Sequence, residues 1–223
     1  MLKRTLYFSK TARLSLKDQQ LVYLSAEGGK KTLPIEDLGF VVLEDQQISV
    51  SLPLLNALND NNVAVILCND KHMPSSMMLN LDGNSIKTEL FTNQITASEP
   101  LKKNIWKQTV EAKIKNQAAL LQKTDNHSGD VLSFCGKVKS GDSTNREGAA
   151  ARLYWPRLFG QGFIRERYGK PPNMLLNYGY TVLRAAVARA LTGSGLLPTL
   201  GIFHHNRYNS FCLADDIMEP YRP

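Results

Sequence analysis

The sequence holds 223 residues, 43% hydrophobic and 21% charged, proportions of an ordinary folded protein that exclude collagen-like and disordered classes. Its three cysteines, Cys68, Cys135 and Cys212, are odd in number and far apart, which argues against a disulfide framework or a structural zinc site and points to the cytoplasm. The net charge of +7 is unevenly placed: residues 1–95 carry 9 Lys/Arg against 10 Asp/Glu, whereas residues 96–223 carry 18 against 10. A neutral first half and a basic second half fit a domain that attracts nucleic acid through its phosphates. A merely solubilising excess of lysine is the competing explanation.

In chain order, Met1-Leu2-Lys3-Arg4 opens like a secretory segment, but Lys10, Arg13 and Lys17 follow too soon for an apolar core. Alternation in Arg13–Lys17 and in Gln20–Ser25 predicts strands, with a hairpin turn at Glu27-Gly28-Gly29-Lys30. The continuous apolar runs Leu38–Leu43 and Val63–Cys68 predict strands covered on both faces. Between them, Ser51 before Leu52–Leu58 predicts a short capped helix that ends in the Asn/Asp cluster at 59–62. Residues 76–97, with an Asp82-Gly83-Asn84 turn, read as a linker. Ser98-Glu99-Pro100 starts a helix with a loose stripe of Leu101, Ile105, Ile114, Leu120 and Leu121, while Lys102, Lys103, Lys107, Lys113 and Lys115 crowd its other faces. Thr144-Asn145-Arg146-Glu147 has the form of a capping box ahead of a helix running to Phe159. A further helix spans about Met174 to Leu191, stopped by Gly193 and Gly195. Arg184 and Arg189 within it argue for a packed helix and against a membrane span, so no membrane partner is expected. The class is therefore α+β: a β-rich domain over 1–75, a linker over 76–97 and an all-helical domain over 98–223.

Nucleotide-binding and common hydrolase signatures are absent. What remains is a dispersed set of metal-capable side chains: Glu147, His204, His205, Asp215, Asp216 and Glu219. Asp216 and Glu219, three apart, share a face if helical, although Pro220 limits that segment to an opening turn. Singly, each has a structural explanation: Glu147 in its capping box, Asp215 and Asp216 as a helix cap, the His pair as a satisfied surface or core pair.

Together with their flanks they carry a resemblance. Asn145-Arg146-Glu147-Gly148 through Tyr154-Trp155, then Leu176-Asn177-Tyr178-Gly179-Tyr180, then Gly201-Ile202-Phe203-His204, then Asp216-Ile217-Met218-Glu219-Pro220-Tyr221-Arg222-Pro223 follow one another as in the CRISPR-associated endonuclease one family. That family is the integrase subunit of spacer acquisition, and the wording is most similar to members from type II loci. The resemblance implies an N-terminal β domain that dimerises and a helical domain that holds Mg²⁺ or Mn²⁺ on Glu147, His204 and Glu219. Asp216 is implied as an assisting neighbour. It also implies double-stranded DNA as substrate, a homodimer, a small ferredoxin-like CRISPR-associated partner and other type II CRISPR proteins as associates. Lys102, Lys103, Lys107, Arg146, Arg152, Arg165 and Arg167 are the candidate DNA contacts. Members of the family continue with more helices after the last motif, so a C-terminally truncated chain is expected. A non-catalytic nucleic-acid-binding protein and an unrelated metal-dependent nuclease are the alternatives.

Overall fold

Strands β1 (Arg4–Phe8), β5 (Leu38–Leu43), β7 (Ala64–Cys68) and β8 (Pro74–Met78) form one sheet in the order β1-β5-β7-β8 in the computed structural model. The described residues are 3–78, 80, 86–166 and 169–223. The pairs β1/β5 and β5/β7 are parallel and β7/β8 is antiparallel. Strands β2 (Ala12–Lys17), β3 (Gln20–Ser25), β4 (Lys30–Pro34) and β6 (Ser49–Val50) form a second sheet in the order β4-β3-β2-β6. The β2–β3 turn places Asp18 and Gln19 at φ 50° and 56°, the left-handed pair that a two-residue hairpin demands. Helix α1 (Leu52–Asp60) starts where the sequence predicts, but Ser51 donates and accepts no side-chain cap bond.

The period-two rule explains how the two apolar runs are used. Val41, Leu43 and Val65 enter a core with Leu14, Leu21, Leu38, Leu54 and Leu58. Their neighbours Val42 and Ile66 point to the opposite face and pack with Cys68 and Ala185. Both faces carry buried side chains, as continuous hydrophobicity requires, with Leu67 of β7 the exposed exception.

The helical part comprises α2 (Lys87–Ile95), α3 (Glu99–Lys123), α4 (Gly129–Leu132), α5 (Arg146–Phe159), α6 (Asn173–Gly193) and α7 (Cys212–Met218), with a 3₁₀ turn at Glu219–Tyr221. The stretch read as linker thus contains the end of β8 and all of α2; the Asp82-Gly83-Asn84 turn lies outside the described residues. Trp106, Val110, Ile114, Ala118 and Leu121 of α3 make the buried stripe and pack with Val131, Val138, Ala150 and Tyr154. Leu101, expected in that stripe, is exposed because the stripe starts at Trp106.

Contacts gather the chain into two units. One comprises the described residues of Met1–Ser85 with Thr181–Gly195; the other comprises those of Ile86–Tyr180 with Leu196–Pro223. The second part of α6 therefore belongs with the sheets. No helix among the described residues is long and apolar enough to cross a membrane.

Candidate metal centre

The start of α5 is built differently from a capping box. Asn145 is the cap residue, held at φ 50°, and its Oδ1 accepts from Gly148 N at 3.0 Å. Asp142, which the sequence reading passed over, accepts from Arg146 N at 2.8 Å and from Glu147 N at 3.0 Å. Three free N–H groups of the first turn are thereby satisfied without Thr144 or the Glu147 carboxylate. Gly148 has a steric reason to lack a side chain: an added Cβ would lie 2.6 Å from Asn145 Oδ1. The cap explanation of Glu147 is corrected, and its carboxylate is left for another partner.

That partner is Lys113. Its Nζ lies 2.5 Å from Glu147 Oε1 and also donates to Glu219 Oε2. The other Glu219 oxygen accepts from the Arg222 guanidinium. Glu219 is buried at 1% exposure, so its charge depends on these two cations. Burial by itself pushes the Lys113 ammonium down in pKa, but the Glu219 and Glu147 charges and their hydrogen bonds outweigh it, holding the group above the ordinary lysine value. The sequence pattern sets Lys113 on a face other than the apolar stripe, yet its side chain is almost enclosed. The signal for it was its place in the stripe, three residues after Val110 and four before buried Gln117.

The final motif is more helical than expected: α7 runs through Met218, and Glu219–Tyr221 continues as a 3₁₀ turn despite Pro220. Pro220 sits in that turn's first positions, where a missing N–H costs little. Asn116 Nδ2 donates to Pro220 O at 2.7 Å and ties the turn to α3.

Asp216 faces the other way. Fully buried, it accepts from Ile202 N at 2.6 Å and Phe203 N at 2.9 Å through Oδ2. Its Oδ1 takes His204 N at 3.3 Å and lies 2.5 Å from His204 Nδ1. One carboxylate thus folds the Gly-Ile-Phe-His loop around itself. Gly201 makes this possible, since a Cβ there would meet His204 O at 2.2 Å. Phe203 stacks on Trp106 with ring centroids 4.3 Å apart, and His204 meets the Trp106 ring edge-on. The hydrogen bond to Asp216 is the main reason the His204 imidazole is raised above its usual pKa; burial opposes it, and the charges of Asp216, Glu219 and Glu147 add to it. With Nδ1–H committed to Asp216, Nε2 is the ring nitrogen open to a ligand. His205 is exposed.

Of the sequence-predicted set, Glu147 and Glu219 meet at Lys113, and His204 stands within electrostatic reach of both. Among the described residues no three His, Cys, Asp or Glu side chains are gathered at metal-binding geometry, and the ammonium of Lys113 bridges the two glutamates. The donor set nonetheless fits an oxygen-preferring divalent cation: two carboxylates already share one cation, and an imidazole is fixed in one tautomer by a carboxylate behind it.

Around this centre the second motif finds its use. Arg165 bonds to Asn173 Oδ1 at 3.0 Å and Asn177 Oδ1 at 2.5 Å, and lies over the Tyr180 ring. Arg222 covers the same ring, whose hydroxyl donates to Arg222 O at 2.7 Å. Burial is what raises the Tyr180 pKa, with Arg222, Arg165 and Lys113 pulling against it. Of the other candidate DNA contacts, Lys102 pairs with Glu99 at 3.3 Å and Lys107 with Glu111 at 3.7 Å. Lys103 and Arg152 are exposed, Arg146 is half-buried, and Arg167 lies outside the described residues.

The chain thus joins a β-rich unit to a helical unit in which two glutamates meet at Lys113 and His204 is anchored by Asp216. The chain belongs to the family described as CRISPR associated protein Cas1, whose model matches residues 6–223. A CRISPR-associated endonuclease Cas1 from Neisseria meningitidis serogroup C (strain 8013) is 38% identical over 222 residues, covering 99% of this chain and 72% of the relative. Among solved structures, a casposase bound to integration product superposes with a TM-score of 0.77 at 21% identity, covering 100% of this chain and 70% of that one. A Cas6-RT-Cas1–Cas2 complex superposes with a TM-score of 0.69 at 21% identity, covering 99% of this chain and 27% of that one. These two likenesses speak for the fold.

Proposed function

We propose that the chain is a metal-dependent DNA integrase and endonuclease that inserts short foreign DNA fragments into a CRISPR array. The observation that carries this reading is the meeting of Glu147 and Glu219 on the Lys113 ammonium, with His204 held by Asp216 within electrostatic reach of both. Two carboxylates and one imidazole suit Mg²⁺ or Mn²⁺, the imidazole favouring Mn²⁺. Such an ion, when bound, neutralises charge on a phosphodiester and activates an oxygen nucleophile. Glu147 and Glu219 would hold it, and His204 would offer Nε2, since Asp216 takes the Nδ1 side of the ring. Asp216 assists through that imidazole.

No protein nucleophile is required. The 3′-hydroxyl of a fragment attacks a phosphorus at a repeat boundary, a new O–P bond forms, and the array's own 3′ oxygen leaves. Water in place of the hydroxyl gives cleavage. The basic residues of 96–223 hold double-stranded DNA by phosphate contacts, with the exposed Lys103 and Arg152 the best placed among the candidates. The printed name of the Neisseria relative and the integration product held by the casposase support this reading.

The same reading assigns residues 1–75 to homodimerisation and 98–223 to metal and DNA, with 76–97 between them. A small ferredoxin-like CRISPR-associated partner completes the assembly in the cytoplasm, alongside other type II CRISPR proteins; a Cas1–Cas2 complex among the structural neighbours supports the first of these. The test is transfer of a 3′-OH fragment into a supercoiled plasmid bearing the repeat, with Mg²⁺, with Mn²⁺ and with chelator. Transfer only with metal, lost in Glu147→Gln, is the expected result. Transfer that persists in chelator refutes the reading.

A further inference from the structure

Glu147, Glu219, Lys113 and Arg222 form a charge-balanced group: two carboxylates against one ammonium and one guanidinium. Arg222 sits on the outer oxygen of Glu219, so the ammonium of Lys113 alone bridges the two glutamates. It comes from the middle of α3, whose flanking residues Val110 and Ile114 are fully buried. The helix core therefore fixes where the lysine starts, and its flexible stem carries the ammonium to the two glutamates.

We propose that Lys113 is a built-in competitor of the divalent ion: a positioning residue that holds Glu147 and Glu219 together in the metal-free protein and must leave their shared oxygens for the ion to load. This inference rests on the metal-site reading above. Two mutually repelling carboxylates in a half-buried place need a counter-charge. Lys113 supplies one with a single positive charge, a divalent ion supplies two, and both need the same lone pairs. With the ion present and the ammonium still nearby, the group carries a positive excess, which the anionic phosphodiester of the substrate balances. Metal binding and DNA binding are thus positively coupled, and the free protein is kept largely metal-free.

The test measures Mn²⁺ binding to the full chain by calorimetry, without and with duplex DNA, for wild type and Lys113→Met, which keeps length and removes charge. Lys113→Met should bind Mn²⁺ at least about tenfold more tightly than wild type in the absence of DNA, since apparent affinity falls with the fraction of sites open to the ligand. DNA should tighten Mn²⁺ binding in wild type and do so less in the variant. A lysine with a purely structural role predicts equal or weaker binding in the variant, and that result overturns the proposal. If wild type and variant both bind no Mn²⁺ under any condition, the metal-site reading itself falls. Should Lys113→Met not fold, lysine acylation of wild type read by mass spectrometry decides: Mn²⁺ should raise labelling of Lys113 several-fold relative to exposed Lys103, and unchanged labelling overturns the proposal.

Discussion

Asp216 and Glu219 are acidic, buried and one helical turn apart, yet they are held in opposite ways. Every contact of Asp216 is a donor that belongs to the fold: three backbone N–H groups and the imidazole of His204. Glu219 is held by two side-chain cations, Lys113 and Arg222, at the ends of flexible stems. A carboxylate saturated by backbone cannot change partners without unfolding its loop. One neutralised by long side chains can exchange them for an ion. Glu147 shares the second character, with its helix cap taken over by Asp142 and Asn145. The comparison separates residues that shape the centre from those that act in it.

The largest expected effect follows from removing charge at the exchangeable pair. Glu147→Gln and Glu219→Gln should each lower strand transfer by two or more orders of magnitude while the protein stays folded. Were Glu147 only a helix cap, its loss would cost about 1 kcal/mol of stability and leave transfer intact; a Glu147→Gln protein that integrates DNA at a normal rate breaks the comparison. Next comes Asp216→Asn, which puts an amide where four donors converge. It should cost about 3 kcal/mol in denaturant unfolding, since buried donors lose a charged acceptor, and should lower activity through His204. An unchanged unfolding midpoint would show that Asp216 is not the hub described. His204→Ala should abolish transfer at little cost in stability, and exposed His205→Ala should be tolerated.

A smaller effect tests the cap. Gly148→Ala forces Asn145 away from its bond and should cost about 1 kcal/mol in thermal melts without selective loss of transfer. Lys103→Ala and Arg152→Ala should each lower the salt dependence of DNA affinity by roughly 1 in slope if each touches one phosphate; filter binding across a salt series reads this. The smallest effect belongs to Asp130, which is paired with Arg157 and His127 but on an exposed surface. The Arg157 hydrogen bond, then that of His127, lowers its pKa. Its contribution is present above the unfolded carboxylate value and is lost as pH falls through the lowered one. Melting temperatures of Asp130→Asn and wild type should differ slightly at neutral pH and converge in acid. Equal stakes for Asp130 and Glu219 would remove burial as the deciding variable.

Much of this was legible in the sequence because periodicity reports on faces. The runs Leu38–Leu43 and Val63–Cys68 read as strands covered on both sides, and they are buried on both faces apart from exposed Leu67. Strand β1 escaped because Lys3 and Arg4 flank a run too short to alternate visibly. Helix α2 escaped because its mixed composition lacks a strong apolar stripe, and none of its residues is buried. At the candidate centre, motif order pointed to Glu147, His204, Asp216 and Glu219, but partners distant in sequence did not show. Lys113 and Glu219 lie 106 positions apart, and no local rule links a lysine in one helix to a glutamate that distant. Asp142 was hidden by a plausible rival, since Thr144 and Glu147 satisfy the spacing of a capping box without forming one.

Helix α6 has a consequence for how the chain can be made and cut. Its second part, with Ala185 fully buried, packs on Val42, Ile66 and Cys68 of the first-made sheet. During synthesis that sheet face waits, uncovered, while the intervening residues emerge, so the early unit cannot mature in the order in which it is translated. A fragment beginning at residue 98 would carry an orphaned apolar helix face, and one ending at residue 97 would lack its cover. A dissection of the protein that keeps the contacts of each unit together has residues 181–195 with the strands.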